Sequence, residues 1–239
     1  NKIPTIILCG GQGTRLYPDT KTIPKPLVTI GGIPIVVHLI NYYISFGIKE
    51  FYLALGYKLE KFHHFFNENA SLFPNNVTIN LVDTGLESMT GGRLLRLKEE
   101  LSQYEEFMLT YGDGLSNVNL EALYNLHKNS NCIGTITAVH PPARFGLLEI
   151  NDIFVDNFKE KPQTDTGWIN GGFFVFKKSF FQYLKDDSTI LEKEPLEKLA
   201  DDKQLVSLKH YDFWQCMDTP RDRQLLDELY SSGKCPWKI

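Results

Sequence analysis

A glycine-rich stretch close to the start of the chain is the first segment whose residue types could do chemistry. It reads "ILCGGQGTRL" and ends with Arg15 and Leu16. Glycines let the backbone approach a phosphate closely, with the backbone N–H groups directed at the phosphate. An arginine can form two parallel hydrogen bonds with phosphate oxygens. The spacing fits neither the Walker loop nor the dinucleotide-binding fingerprint. The stretch therefore predicts a phosphate-binding loop of another kind, against the plainer alternative of a tight turn with a surface arginine.

Two further cations stand in settings that restrict their positions. Lys25 lies between Pro24 and Pro26, which stiffen the backbone and exclude a helix. Arg93 follows two glycines at the predicted start of a helix, where backbone N–H groups favour bound anions. Both residues also fit a plainer interpretation, as a solvated loop lysine and an exposed helix arginine.

Two aspartates are candidate ligands for a divalent cation. Asp113 stands between glycines directly after an apolar strand, and ligands of open α/β sheets bind beyond the carboxyl ends of parallel strands. Asp218 precedes Thr219 and Pro220. The plainer alternatives are an Asp-Gly turn for Asp113 and a helix N-cap for Asp218.

Short apolar strands alternate with amphipathic helices in the part of the chain that must position these residues. Strands are predicted over 5–8, 51–55, 77–82, 107–111 and 133–139, and helices over 34–46, 59–66, 92–101 and 120–129. The second half predicts a hairpin over 147–150 and 154–158, a strand over 171–176 and helices over 192–200 and 221–230. We therefore expect one α/β domain over 1–239, with a mostly parallel, Rossmann-like sheet, helices on both faces and a small antiparallel insertion at roughly 140–200.

Composition excludes several other classes of function. Hydrophobic residues make up 42% and charged residues 23% of the 239 residues, as in a soluble globular protein. The net charge of −4 gives no basic surplus for nucleic acid, and no apolar run is long enough to cross a membrane. The four cysteines and six histidines show no metal-binding spacing, and no signal peptide is evident, so we expect a cytoplasmic protein.

Longer motifs resemble a known family. "GGQGTRLYPDTKTIPKPLVTIGGIPIVVH" is similar to the opening signature of the nucleotidyltransferases that make sugar nucleotides, the sugar-nucleotide pyrophosphorylases. Within that family, "LVDTGLESMTGGRLLRLKE", "TYGDGLSNVNL", "PPARFGLLEI", "EKPQTDTGWINGGFFVF", "KEPLEKLA" and "FWQCMDTPRDRQLLDELYSSGKCPWK" resemble the glucose-1-phosphate cytidylyltransferases. The resemblance covers nearly the whole chain and implies a GT-A-like fold.

The resemblance implies CTP-dependent cytidylyl transfer to a phosphorylated acceptor, with release of pyrophosphate. Arg15, Lys25, Asp113, Lys161 and Asp218 are then the catalytic residues, and Asp113 and Asp218 hold Mg²⁺. The nucleotide contacts implied by the family are Leu8, Cys9, Gly10, Gly11, Gln12, Gly13, Thr14, Arg15, Lys25, Ser88, Arg93 and Gly112. The acceptor contacts are Gly146, Glu160, Lys161 and Asn170. The product would serve capsule or surface polysaccharide synthesis.

The chain departs from the family pattern in two places, which leaves the acceptor open. The segment 67–76 is shorter than the excursion that takes part in subunit contacts in the family, so formation of a homo-oligomer is also open. Ala143 and Leu147 stand where the glucose enzymes usually have Gly and Ala. The acceptor is glucose 1-phosphate, another sugar phosphate, or an amino-acid phosphate such as L-glutamine phosphate in capsule phosphoramidate synthesis.

Two other classes of function compete with a cytidylyltransferase. A glycosyltransferase usually needs Asp-x-Asp, which the segment around Asp113 lacks. A nucleotide-sensing domain predicts CTP binding without turnover, and the presence of both aspartates together with Lys25 and Lys161 argues against it.

Overall fold

The computed structural model describes residues 3–141, 147–151, 153–159 and 167–238. The strands are β1 (Thr5–Leu8), β2 (Thr29–Ile30), β3 (Ile33–Pro34), β4 (Glu50–Leu55), β5 (Thr78–Asp83), β6 (Glu106–Tyr111), β7 (Gly114–Ser116), β8 (Gly134–Val139), β9 (Leu147–Asn151), β10 (Phe154–Lys159), β11 (Ile169–Lys177), β12 (Leu205–His210) and β13 (Trp214–Cys216). The α-helices are α1 (Ile35–Ser45), α2 (Leu59–Glu68), α3 (Thr90–Leu95), α4 (Leu120–Ser130), α5 (Glu194–Asp201) and α6 (Pro220–Ser231).

The central sheet has the strand order β12-β8-β11-β6-β1-β4-β5. Every neighbouring pair is parallel except the two that involve β11, which runs antiparallel to β6 and to β8. The predicted mostly parallel sheet is confirmed. The predicted hairpin is formed by β9 and β10, and two further antiparallel pairs join β2 to β3 and β7 to β13.

The register of the three central strands brings their carboxyl ends together. Leu8, the last residue of β1, pairs with Ala54 on β4 and with Tyr111 at the end of β6. The glycine-rich loop therefore leaves the sheet beside Gly112 and Asp113, as ligand-binding loops do in open α/β sheets.

Alternating side chains of the central strands build a hydrophobic core on each face of the sheet. Ile7 and Leu53 pack with α1 and α4, whereas Ile6 and Ala54 pack with the segment that contains Leu94. Because successive residues of a strand point to opposite faces, strands covered on both sides are apolar throughout. This explains why these strands read as continuous hydrophobic runs.

The helix predicted over 92–101 is wrong in its bounds. The α-helix spans Thr90–Leu95, and turns follow in which Leu97 and Lys98 donate to residues three positions earlier. Leu94, Leu97 and Leu101 are still buried together. Their spacing correctly indicated the buried face, but a series of tighter turns satisfies it as well as a regular helix does.

The short strands β2, β3, β7 and β13 and the edge strand β12 were not predicted from the sequence. Apart from the helix predicted over 92–101, the predicted elements agree with the structure to within a few residues. Among the helices in the described ranges, none combines the length and apolar character of a membrane span.

Candidate functional site

A cleft of about 370 Å³ opens at the carboxyl ends of β1 and β6. Most of the predicted nucleotide and catalytic residues line it together. They are Leu8, Cys9, Gly10, Gly11, Gly13, Arg15, Lys25, Ser88, Arg93, Gly112 and Asp113. Three residues that the sequence did not single out also line it, namely Met89, Thr90 and Tyr111. Gln12 and Thr14 are residues of the same loop that do not line the cleft.

A buried lysine joins the two predicted metal ligands at one side of this cleft. The Lys25 Nζ donates to Asp113 Oδ2 at 2.6 Å and to Asp218 Oδ1 at 2.6 Å. Lys25 begins a short 3-10 helix, Lys25–Leu27, that is buried throughout. The expectation that the flanking prolines exclude a helix is therefore wrong for this single turn, and so is the alternative of a solvated loop lysine. The two carboxylates, 105 residues apart in the sequence (218 − 113), thus converge on a single cation.

The pairing of β7 with β13 places Asp218 beside Asp113. Cys216 pairs with Gly114, and the Met217 N–H donates to the Asp113 carbonyl at 2.8 Å. The helix cap of α6 is provided by Thr219, which forms a capping box with Asp222. Because the cap is Thr219, the N-cap alternative for Asp218 is wrong. The Asp218 carboxylate instead pairs with Lys25 and Arg15, and Asp218 itself is not among the residues that line the cleft.

The charges at this site shift the pKa of Lys25 and that of Asp218. Burial alone would lower the pKa of Lys25, but the two carboxylates outweigh burial and raise it above its ordinary value. Burial likewise opposes ionisation of Asp218, yet hydrogen bonding and attraction to Lys25, with a further contribution from Arg15, lower its pKa. Both groups are therefore charged at neutral pH. Burial and the nearby aspartates raise the pKa of Cys216 to about 12, so its thiol is inert.

Arg15 is the exposed cation of the site. Its Nη1 lies 2.9 Å from Asp218 Oδ2, and three quarters of its side chain (75%) is accessible to solvent. The loop around it depends on Gly13, which has φ 63°, and a Cβ there would lie 2.9 Å from the Lys25 Cβ. The glycine loop is therefore packed against Lys25, while the Arg15 guanidinium can reach a ligand from solvent.

Arg93 is buried behind the glycine loop, and its guanidinium binds the protein itself. Its Nη1 donates to the carbonyls of Leu55 and Gly85 and to the Thr84 hydroxyl, at 3.1, 2.6 and 3.1 Å. Its Nη2 donates to the carbonyls of Gly10 and Leu86, at 3.0 and 3.1 Å. One side chain thus ties together the loops that follow β1, β4 and β5. The interpretation of Arg93 as an exposed helix arginine is wrong.

Ser88 and Gly112 complete the nucleotide side. Ser88 is buried at the cleft wall. A Cβ on Gly112 would lie 3.0 Å from the Leu8 carbonyl oxygen and 3.1 Å from the Cys9 sulfur, so only glycine fits without displacing its neighbours. Direct contacts of Ser88, Arg93 and Gly112 with a nucleotide stay predictions.

The acceptor side contains one predicted residue in the described ranges. Asn170, near the start of β11, donates from Nδ2 to the Tyr111 hydroxyl at 3.1 Å and accepts the Gly172 N–H at 2.8 Å. Gly146, Glu160 and Lys161 lie outside the described residues, and so does Ala143.

Cavity volume alone would have pointed elsewhere. A larger cavity, of about 1090 Å³, lies at the amino ends of the strands and is lined by Ile3, Phe46 and Met108 among others. It contains neither the glycine loop nor the paired aspartates. We assign the site to the smaller cleft because the convergent charges are there.

Comparison with known proteins shows which family the chain belongs to. The chain matches the nucleotidyl transferase family over residues 4–219. The chain belongs to that family. It is 42% identical to the glucose-1-phosphate cytidylyltransferase of Salmonella typhimurium, with 98% of each chain covered. It is 30% identical to the mannose-1-phosphate guanyltransferase of Saccharomyces cerevisiae over 91% of this chain and 62% of that protein.

Solved structures of low identity show the same fold. HddC from Yersinia pseudotuberculosis, complexed with GMP-PN, has a TM-score of 0.74 and 23% identity over 95% of this chain and 99% of that one. UDP-glucose pyrophosphorylase complexed with UDP-glucose has a TM-score of 0.74 and 17% identity, over 98% and 100% of the two chains. The protein is thus a nucleotidyltransferase by family, and these structures share its fold.

The paired aspartates fit a divalent cation. Their oxygens already converge on one ammonium group, and carboxylate oxygen is the ligand that Mg²⁺ prefers. In the described ranges, this site included, no group of three or more His, Cys, Asp or Glu side chains could hold a metal ion, so a cation here would have only the two aspartates as protein ligands. Mg²⁺ commonly takes one or two carboxylates and completes its shell with water and substrate phosphates, so two aspartates suffice.

Proposed function

We propose that this nucleotidyltransferase transfers CMP from CTP to glucose 1-phosphate or a closely similar sugar 1-phosphate and releases pyrophosphate. The 42% identity to a glucose-1-phosphate cytidylyltransferase over 98% of both chains supports the choice of CTP and of a sugar phosphate. The observation that carries the chemistry is the Lys25 ammonium held between Asp113 and Asp218 at the cleft. A cytoplasmic location and use of the product in surface polysaccharide synthesis belong to the same proposal.

The reaction requires positioning and charge neutralisation more than covalent chemistry. An oxygen of the acceptor phosphate attacks the α-phosphorus of CTP, and the bond from that phosphorus to the oxygen bridging to the β-phosphate breaks. Pyrophosphate leaves with the bonding electrons, and no covalent enzyme intermediate forms. Because several phosphates crowd together, the enzyme must supply cations and N–H donors in fixed positions.

The residues of the cleft can fill these roles. Backbone N–H groups of the loop over 9–15 would donate to the triphosphate, and the exposed Arg15 guanidinium could form paired hydrogen bonds with its oxygens. Asp113 and Asp218 would hold Mg²⁺, which supplies charge neutralisation and polarises phosphate oxygens when bound. Lys25 is then the buried cation next to the metal-binding carboxylates, and we assign it to the phosphates at the reacting centre.

Acceptor binding is assigned to Gly146, Glu160, Lys161 and Asn170. Lys161 would hold the acceptor phosphate, while Glu160 and Asn170 would hold hydroxyl groups. Asn170 supports this assignment because its amide lies one hydrogen bond away from Tyr111, which itself lines the cleft.

A pyrophosphate-release assay tests the proposal. CTP, UTP, ATP and GTP are each incubated with Mg²⁺ and with glucose 1-phosphate, other sugar phosphates or amino-acid phosphates, using the wild type and Asp113→Asn. We expect CTP with glucose 1-phosphate to give the fastest release, and Asp113→Asn to abolish most of it. Turnover with UTP but not CTP contradicts the cytidylyl assignment, and preference for an amino-acid phosphate contradicts the sugar assignment.

A further inference from the structure

A chain of hydrogen bonds connects the predicted acceptor residue Asn170 with the Glu192 carboxylate, which is bonded to two residues of the cleft wall. Asn170 donates to the Tyr111 hydroxyl at 3.1 Å, and that hydroxyl donates to Glu192 Oε1 at 2.6 Å. The other carboxylate oxygen, Glu192 Oε2, accepts from the Thr90 hydroxyl at 2.7 Å. Thr90 and Tyr111 both line the cleft, so Glu192 is anchored at two points of its wall.

Glu192 is fixed in place although its side chain is exposed. The Leu191 N–H donates to the Thr90 hydroxyl oxygen at 2.9 Å, and the Gly91 N–H donates to the Thr189 carbonyl at 2.9 Å. These bonds hold the segment before α5 against the start of α3. An exposed glutamate normally samples many rotamers, and holding this one in place costs side-chain entropy.

The fixed carboxylate has unused hydrogen-bonding capacity. An ionised carboxylate offers about four acceptor positions, and the hydroxyls of Tyr111 and Thr90 use two of them. Burial and the neighbouring Glu192 raise the pKa of Tyr111, which keeps its proton and remains a donor. The remaining acceptor positions are open to a ligand that carries hydroxyl donors.

On the basis of the proposed function, we propose that Glu192 is a specificity-determining residue that accepts hydrogen bonds from hydroxyls of the sugar acceptor. Its negative charge favours a neutral, polyhydroxylated group beyond the acceptor phosphate. It disfavours an acceptor with a second anionic group, because two like charges would be brought close together. None of the contacts that the family resemblance implied includes this residue.

The test is a comparison of Glu192→Gln with the wild type and with Glu194→Gln. Glu194 is a matched control two residues away, also exposed, whose carboxylate pairs with Lys185 instead. We expect Glu192→Gln to raise KM for glucose 1-phosphate about ten- to a hundredfold, the loss of a hydrogen bond to a charged group, with KM for CTP unchanged. We expect Glu194→Gln to behave as the wild type.

Deoxy analogues of glucose 1-phosphate distinguish direct contact from a structural role. We expect removal of one or two of the ring hydroxyls to weaken the wild type and to have a much smaller further effect in Glu192→Gln. The variant should also accept glucuronic acid 1-phosphate better, relative to glucose 1-phosphate, than the wild type does. The assignment of Glu192 is overturned if, for every deoxy analogue, the loss caused by removing the hydroxyl is as large in Glu192→Gln as in the wild type. It is also overturned if Glu192→Gln leaves the acceptor KM unchanged.

Failure of the proposed function gives a different result. If the wild type releases no pyrophosphate from CTP with any sugar phosphate, both the function and the role of Glu192 are wrong. If the wild type turns over and only the variant comparison shows no effect, the function stands and the role of Glu192 alone is overturned. A fall in unfolding free energy of Glu192→Gln without a change in acceptor KM likewise identifies a purely structural role.

Discussion

Lys25 and Arg93 are two buried cations that line the same cleft, and they are partnered in opposite ways. Lys25 is 7% exposed and binds two carboxylates, and Arg93 is 5% exposed and binds four backbone carbonyls and one hydroxyl. The lysine's partners are charged side chains at a site where phosphates and a metal would enter. The arginine's partners are neutral groups of the protein's own loops.

Under the proposed function, this difference assigns Lys25 to the reaction and Arg93 to the stability of the loops. An ammonium held by carboxylates can exchange those partners for phosphate oxygens as a metal ion takes the carboxylates. A guanidinium that satisfies otherwise unpaired carbonyls cannot leave without exposing buried acceptors. We therefore expect replacement of Lys25 to affect turnover most, and replacement of Arg93 to affect the stability of the loops most.

The largest expected effect is on the activity of Lys25→Met. We expect kcat to fall about 10²- to 10³-fold because a preorganised cation at the reacting phosphates is lost. Unfolding free energy should fall by no more than about 2 kcal/mol, since both aspartates retain access to solvent and can be hydrated. Pyrophosphate release and urea unfolding of the same preparations measure the two quantities.

The control for this variant is Lys21→Met, a change to an exposed lysine in the preceding turn. It should keep the activity and the stability of the wild type. If Lys25→Met is severely destabilised but its folded molecules are fully active, Lys25 has a structural role. The distinction drawn between Lys25 and Arg93 is then wrong.

The next effect is on the stability of Arg93→Met. We expect a loss of about 3 kcal/mol in unfolding free energy, because several buried oxygens lose their donor and only some regain water. Arg96→Met is the matched control, since Arg96 is half exposed and pairs with the single carboxylate of Asp187. Surface pairs contribute about 1 kcal/mol at most, so Arg96→Met should be nearly neutral. Equal losses in the two variants would show that the loop contacts of Arg93 do not stabilise the protein.

The sequence predicted the Lys25 region better than the Arg93 region, for a physical reason. Parallel strands end at one edge of a sheet, so the order of the elements was enough to place the glycine loop after β1 near the aspartate after β6. The flanking prolines marked Lys25 as positioned. The partners of Arg93 are mostly backbone carbonyls. Because every residue has a backbone carbonyl, no pattern of residue types could predict these contacts.

The same reasoning explains the other residues that sequence analysis missed. Tyr111 and Glu192 meet across 81 positions of the chain, and their contact depends on where the segment before α5 lies. The only local signal was that Tyr111 directly precedes the glycine and aspartate of the site. The antiparallel direction of β11 could not be read from its apolar sequence either, because parallel and antiparallel buried strands share that pattern.

A smaller effect concerns the glycine that Arg93 covers. A Cβ on Gly10 would lie 2.1 Å from the Arg93 guanidinium, whereas a Cβ on Gly11 would have no neighbour within 4 Å. We expect Gly10→Ala to lower the unfolding free energy by about 1–3 kcal/mol through overpacking, and Gly11→Ala to change it by less than about 0.5 kcal/mol. Urea unfolding of the two variants measures the difference. Equal stabilities would mean that the guanidinium moves aside freely, which contradicts a structural role.

The smallest expected effect concerns pH. The contribution of the Lys25 site to the unfolding free energy should depend on pH more strongly than the contribution of Arg93 does. The pKa of Asp218 is lower in the folded protein than its ordinary value of 3.8, because Lys25 and Arg15 outweigh burial. The unfolded chain therefore binds this proton first as pH falls. The stabilisation from Asp218 is complete above its unfolded pKa and is lost as pH falls through its folded pKa.

Urea unfolding of the wild type, Asp218→Asn and Arg93→Met between pH 7 and pH 3 measures this dependence. We expect the stability difference between the wild type and Asp218→Asn, about 1 kcal/mol, to be constant above pH 5 and to shrink below about pH 4. The difference between the wild type and Arg93→Met should change much less over this range, because none of the five hydrogen-bond partners of Arg93 titrates and only the more distant attraction of Asp83 weakens in acid. If both differences shrank together in acid, the carboxylates would be stabilising the loops that Arg93 holds, and the two cations would belong to one coupled network.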